Sequence, residues 1–201
     1  GDPVIAFNAA GELYMASLSI HVNNFSASAL LSKSTDGGET WTLIKDFGEF
    51  FDKPWLAIDR FSSSPSLNNI YYTAINFLPL LYTLDGNHDE VNIYPSMDGE
   101  HLASVVVRND GEVFMNMVEL NDPNQIFVQQ HSNGGTTLTH STPVVSFPDF
   151  TNNAFDISTR FQPSTYMAVD NSDGPYAGRL YLSYTASESG SSTYFDIFLK
   201  K

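Results

Sequence analysis

Apolar and polar residues alternate along this chain in packets of about four to eight positions, and the packets are bounded by clusters of Gly, Asn, Asp and Pro. The pattern predicts strands at Pro3–Phe7 and Leu13–Ile20 around the turn Asn8-Ala-Ala-Gly11, then at Ala29–Ser34 and Trp41–Lys45 around Gly37-Gly38. A second group reads as Trp55–Ile58, Asn69–Ile75 and Leu78–Leu84, closed by Asp85-Gly86. A third has Ala103–Val107 and Glu112–Met117 across Asn109-Asp110-Gly111, then Ile126–Gln130 and Pro143–Ser146 across Asn133-Gly134-Gly135. The last has Tyr166–Val169, Gly178–Tyr184 and Phe195–Leu199. No stretch carries the apolar stripe of an amphipathic helix, so the fold class is all-β.

The groups repeat one another. Phe7-Asn-Ala-Ala-Gly-Glu-Leu-Tyr-Met15 aligns with Val107-Arg-Asn-Asp-Gly-Glu-Val-Phe-Met115. Trp55-Leu-Ala-Ile-Asp59 aligns with Tyr166-Met-Ala-Val-Asp170, and Ile70-Tyr-Tyr-Thr-Ala74 with Leu182-Ser-Tyr-Thr-Ala186. The candidate units are 3–48, 54–98, 103–148 and an incomplete 165–201. Units of about 50 to 60 residues with three or four strands fit the blades of a β-propeller. A blade cannot cover both its own faces, and about three and a half antiparallel, four-stranded blades do not close a ring. The expectation is that the chain continues beyond Lys201. Completion of the ring by a second chain is the alternative.

Composition narrows the partners. The formal net charge of −14 repels a phosphate backbone, which argues against nucleic acid. Without cysteine there are no disulfides, thiolate metal sites or cysteine nucleophiles, although secretion stays open. No apolar run is long enough to span a membrane. The opening Gly1-Asp2-Pro3 reads as a mature or trimmed start. Asn24-Phe-Ser26 is a glycosylation sequon, meaningful in a eukaryotic source.

The five histidines, His21, His88, His101, His131 and His140, have no metal-binding spacing. Calcium is the candidate ion, at the oxygen-rich turn holding Asp170, Asn171 and Asp173, where ordinary turn roles are the competing reading. Arg60, Arg108 and Arg179 lie beside strand ends and are candidate ligand contacts, against the usual solvated or ion-paired role that also suits Arg160. Tyr71, Tyr72, Tyr181 and Tyr184 read as core residues, with a sugar-stacking platform as the minor alternative.

The most specific segment is Ser34-Thr-Asp-Gly-Gly-Glu-Thr-Trp41. Asp36 suits an Asx turn, Gly37 and Gly38 permit the backbone angles, Ser34 and Thr40 flank them, and Trp41 is expected to pack between sheets. The segment resembles the Asp-box, or BNR repeat, of sialidases and many secreted bacterial propellers. His131-Ser-Asn-Gly-Gly-Thr-Thr-Leu138 resembles a decayed copy, with Asn133, Gly134, Gly135 and Thr137 in the box positions. Asp52-Lys-Pro-Trp-Leu-Ala-Ile-Asp59 and Thr165-Tyr-Met-Ala-Val-Asp170 resemble a further segment common in such extracellular proteins.

The resemblance implies a sialidase-like propeller, secreted or at the cell surface. A sialidase of this kind carries an arginine ahead of its first Asp-box, whereas here no arginine precedes Arg60. The leading expectation is therefore a module that binds glycan or a surface protein through loops on one face, with no catalytic residue assigned in this segment. The alternatives are a glycoside hydrolase whose catalytic residues lie largely beyond Lys201, and a structural repeat of a large surface protein.

Overall fold

The computed structural model describes residues 3–20, 22–23, 27–49, 51–76, 78–95, 101–119, 124–147, 165–186 and 196–201. The sequon at Asn24 and Arg160 lie outside the described residues. Fifteen strands form four antiparallel sheets, each with its strands in chain order. The first sheet is β1 (Val4–Phe7), β2 (Leu13–Ile20), β3 (Ala27–Ser34) and β4 (Thr42–Glu49). The second is β5 (Asp52–Ile58), β6 (Ile70–Asn76), β7 (Leu78–Leu84) and β8 (Glu90–Pro95). The third is β9 (His101–Val107), β10 (Val113–Glu119), β11 (Asn124–Ser132) and β12 (Thr137–Phe147). The fourth has β13 (Thr165–Val169), β14 (Leu180–Ala186) and β15 (Asp196–Lys200).

The first strand of each sheet packs against the first strand of the next, β1 on β5, β5 on β9 and β9 on β13. Successive sheets therefore stack around an axis with β1, β5, β9 and β13 innermost, as blades of a β-propeller do. This is an all-β propeller of four-stranded antiparallel blades, the last present as three strands.

Three apolar seams hold the blades together. Tyr14, Ala16, Ala29 and Leu31 of the first sheet meet Leu56, Ile58, Ile70, Tyr72 and Leu84 of the second. Tyr71 and Leu81 face the other way, onto Val105, Val107, Val113, Met115 and Met117 of the third sheet. Phe114, Val118 and Ile126 then meet Met167, Leu182 and Ala186 of the fourth. Adjacent Tyr71 and Tyr72 are both fully buried because alternate side chains enter different seams. For the same reason β10 is buried along six successive positions, without the polar alternation of a sheet that has one wet face.

Polar bonds cross all three seams, Lys45 Nζ donating to Glu90 Oε2 over 2.9 Å between the first and second sheets. Thr73 Oγ1 donates to the Ala103 carbonyl over 2.8 Å. Asn116 Nδ2 donates to Thr165 Oγ1 over 2.7 Å, Ser104 Oγ donates to Asn116 Oδ1, and the Met167 N–H donates to Ser104 Oγ over 3.2 Å. A buried group left unbonded costs about 1–3 kcal/mol, so the buried pairings among these fix the blades against sliding.

Antiparallel order sends the connections to two ends. One end, here the turn end, gathers the turns 8–12, 35–41, 59–69, 85–89, 108–112, 133–136 and 170–179. The inner strands start at the opposite end, here the mouth, where most of the connecting residues are not described.

The sequence repeats are also repeats of turn geometry. In both Asn8–Glu12 and Arg108–Glu112 the glycine N–H donates back to the first carbonyl, with φ +82° at Gly11 and +89° at Gly111. Asp59 and Asp170 each exchange two backbone bonds across longer loops, through Asn68 and Asn69 in one and Gly178 and Arg179 in the other. The turns dock on one another as well. Ser63 Oγ donates to the Asn109 carbonyl, Asn171 Oδ1 accepts the Asn109 N–H over 2.8 Å, and Asn171 Nδ2 donates to the Val107 carbonyl.

Candidate functional site

The residues of the two box-like turns, the calcium candidates and the three candidate arginines all lie at the turn end, while Tyr71, Tyr72, Tyr181 and Tyr184 lie within β6 and β14. In the Ser34–Trp41 turn, Asp36 Oδ1 accepts the Thr40 N–H over 2.9 Å and Oδ2 accepts the Thr40 hydroxyl over 2.6 Å. Ser34 Oγ donates to Asp36 over 2.7 Å and accepts the Gly38 N–H. These bonds, that of the Thr40 hydroxyl first, lower the Asp36 carboxyl to about 2, so their contribution holds above pH 4 and fades as the pH falls toward 2. The Trp41 indole folds back over its own turn, donating to the Gly38 carbonyl, and belongs to none of the three buried seams.

The Asn133–Thr137 turn keeps the corresponding link, Asn133 Nδ2 to Thr137 Oγ1, and keeps left-handed angles at Gly134 and Gly135. Both turns are built from inward, local bonds and leave few groups for a ligand.

Around the candidate calcium turn, Asp170 Oδ1 accepts the Ser172 N–H and Asn171 is committed to the neighbouring turn, while Asp173 is exposed. Among the described residues no three His, Cys, Asp or Glu side chains are grouped to hold a metal. Arg108 is held by Asp110 through paired bonds of 2.6 and 2.9 Å. Arg60 lies over Phe61 and Arg179 over Tyr176. The structure does not bring the three arginines onto one anion-binding point: each is occupied by its own local partner.

The mouth carries a different set of features. At the start of β5 the ladder with β6 is interrupted between Asp52 and Trp55. Within that bulge Lys53 has φ +50°, and its N–H turns to Asp52 Oδ1 over 2.8 Å. A left-handed backbone at a side-chain-bearing residue is costly and recurs at binding and catalytic sites, and bulges re-aim neighbouring side chains. Trp55 follows immediately. Its ring meets that of Tyr166, from the start of β13, with centroids 5.2 Å apart and planes tilted by 46°. Because β5 and β13 flank β9, this pair closes over the axial edge of the third sheet. Tyr166 remains 49% exposed, on the sheet face it shares with Ile197 and Leu199, which no described blade covers.

Asp52 is exposed and is the only carboxylate among the four inner strands, which contain no arginine. Among the described residues, the inner strands thus bring the Trp55–Tyr166 ring pair and the exposed Asp52 carboxylate to this end, beside the left-handed backbone at Lys53. Trp55 and Tyr166 open the two aligned segments Trp55–Asp59 and Tyr166–Asp170, and that shared place on an inner strand was the sequence signal for them.

No protein-family model matches this chain, and no curated protein does. Solved structures do. An α-L-arabinofuranosidase of Fusarium graminearum with arabinobiose superposes with a TM-score of 0.60 at 10% identity, over 98% of this chain and 64% of that one. An α-L-arabinanase of Penicillium chrysogenum with arabinobiose gives 0.59 at 12% identity, over 94% and 61%. A Hadza microbial sialidase gives 0.56 at 11% identity, over 96% and 36%. The chain spans less than two thirds of the length of these three structures. At such identities the likeness shows the fold, and it agrees with the blade stacking read from the seams.

Proposed function

We propose that this chain is the glycan-binding part of a propeller that acts outside the cell or on its surface, and that it takes sugar at the mouth on the surface formed by Trp55 and Tyr166. The observation that carries this is the contact between the half-buried Trp55 ring and the exposed Tyr166 ring, brought together from two inner strands that are not neighbours. Aromatic rings stack on the C–H faces of sugars, and a carboxylate such as Asp52 accepts from their hydroxyls. The superposing structures, two of them holding arabinobiose, support a carbohydrate ligand. In this reading the Ser34–Trp41 turn is an Asp-box that braces the far end of a blade. Further blades, from the same chain or a second one, cover the outward face of the last sheet, where Ile197 is 80% exposed.

Isothermal titration with arabino-oligosaccharides tests the proposal. Trp55→Ala and Tyr166→Ala are each expected to weaken binding about tenfold, the loss of one stacking contact. Unchanged affinity in both variants contradicts it.

A second reading, glycoside hydrolysis, is favoured by the exposed Asp52 at the mouth and by the arabinanase and arabinofuranosidase among the superposing structures. Hydrolysis uses two carboxyl groups about 5–9 Å apart, and the described inner strands supply one. A second carboxylate would come from outside the described residues. Release of reducing sugar that Asp52→Asn abolishes is the result that favours catalysis over binding.

A further inference from the structure

We infer that the ligand of this mouth is an uncharged glycan and that acidic sugars, sialic and uronic acids, are rejected; the inference rests on the binding site proposed above. Recognition of a sugar carboxylate calls for fixed positive charge, best supplied by the two-pronged guanidinium of arginine. The inner strands Val4–Phe7, Asp52–Ile58, His101–Val107 and Thr165–Val169 contain no arginine. All arginines among the described residues, Arg60, Arg108 and Arg179, lie in turns at the opposite end of the sheets, Arg108 bonded to Asp110 and the other two stacked on neighbouring rings.

The one cation on the inner strands is Lys53, and its backbone N–H is tied to the Asp52 carboxylate beside it. On the inner strands, an incoming anion would therefore face a fixed negative charge next to the one positive residue they carry. The formal net charge of −14 adds long-range repulsion in the same direction. A neutral sugar meets none of these costs. Its apolar face stacks on Trp55 and Tyr166, and its hydroxyls donate to Asp52, which as a carboxylate only accepts.

The test compares arabinotriose, sialyllactose and trigalacturonic acid on the full-length protein at low salt. Arabinotriose is expected to bind at least about tenfold more tightly than either acid, the difference made by one buried or repelled charge. Asp52→Asn is expected to narrow that gap several-fold by improving the acids and weakening the neutral sugar. Equal or tighter binding of an acid overturns the inference while leaving the mouth as a glycan site, provided Tyr166→Ala weakens it. If none of the three binds, or binding ignores Tyr166→Ala, the site itself is wrong.

Discussion

Gly135→Ala is expected to destabilise the protein by about 3–5 kcal/mol, whereas Gly38→Ala, at the matching place of the first blade, costs about 1–2 kcal/mol. Both glycines hold left-handed backbone, φ +83° and +97°, so both variants carry the same local strain. They differ in surroundings. A methyl group at Gly38 meets Leu13 at 3.6 Å and Trp41 at 3.9 Å, which is ordinary contact. At Gly135 it sits 2.8 Å from Thr83 Oγ1 and 3.0 Å from the Tyr71 ring, both rigid and fully buried in the preceding blade. The difference exists because the third blade has the second packed against it, while no described blade precedes the first. Thermal melts check this: a loss of about 10 °C at Gly135 and about 4 °C at Gly38 is expected for a chain of this size. Equal losses contradict the docking of the 133–136 turn on the second blade.

Acidification from pH 7 to pH 4 is expected to remove about 3 kcal/mol of stability through one side chain, His131. It occupies the place held by Ser34 in the first blade, and it is fully buried, with both ring nitrogens unbonded and its ring edge-on to Tyr94 at 4.9 Å. Burial lowers its pKa from 6.5 to about 4. Between those values the unfolded chain binds the proton more readily than the folded one. The stabilisation is therefore complete above pH 6.5 and is lost progressively as the pH falls toward 4. Carboxylates held low by their partners, such as Asp36 and Asp110, fade at still lower pH. His131→Leu separates the two effects. Urea unfolding of the variant is expected to lose much less stability from pH 7 to 5 than the parent, the remainder coming from groups such as His88, whose pKa burial also lowers; parallel profiles contradict a neutral buried histidine.

Much of the fold was legible because each blade repeats its local signals. The predicted bounds of β2 and β7 coincide with the observed ones, since apolar runs there end at strong turn residues. β8 (Glu90–Pro95) escaped sequence reading. It is an outer edge strand with Val91 and Ile93 exposed, so its pattern reads as solvent-facing chain ending in proline. β4 runs on to Glu49, past Gly48, because a left-handed glycine at φ +99° is absorbed there. The strand β12 begins at Thr137, ahead of the predicted Pro143, since an outer strand tolerates the mostly polar stretch Thr137–Thr142, in which Leu138 is the one apolar residue.

The mouth was less legible. Trp55 and Tyr166 are visible as matching positions of two repeats, but their meeting depends on how tightly the blades curve around β9, which no local pattern encodes. The left-handed angle at Lys53 is likewise absent from the sequence, where the residue before a proline reads as plain extended chain.

The chain has two tryptophans, so replacing Trp41 by Phe leaves Trp55 as the sole indole reporter at the mouth. Fluorescence titration of Trp41→Phe with arabinotriose tests glycan binding on the Trp55–Tyr166 surface most directly. A saturable change in Trp55 emission that disappears when Tyr166→Ala is added is the predicted result. An unresponsive Trp55 at millimolar sugar, or a response that survives loss of Tyr166, would contradict it.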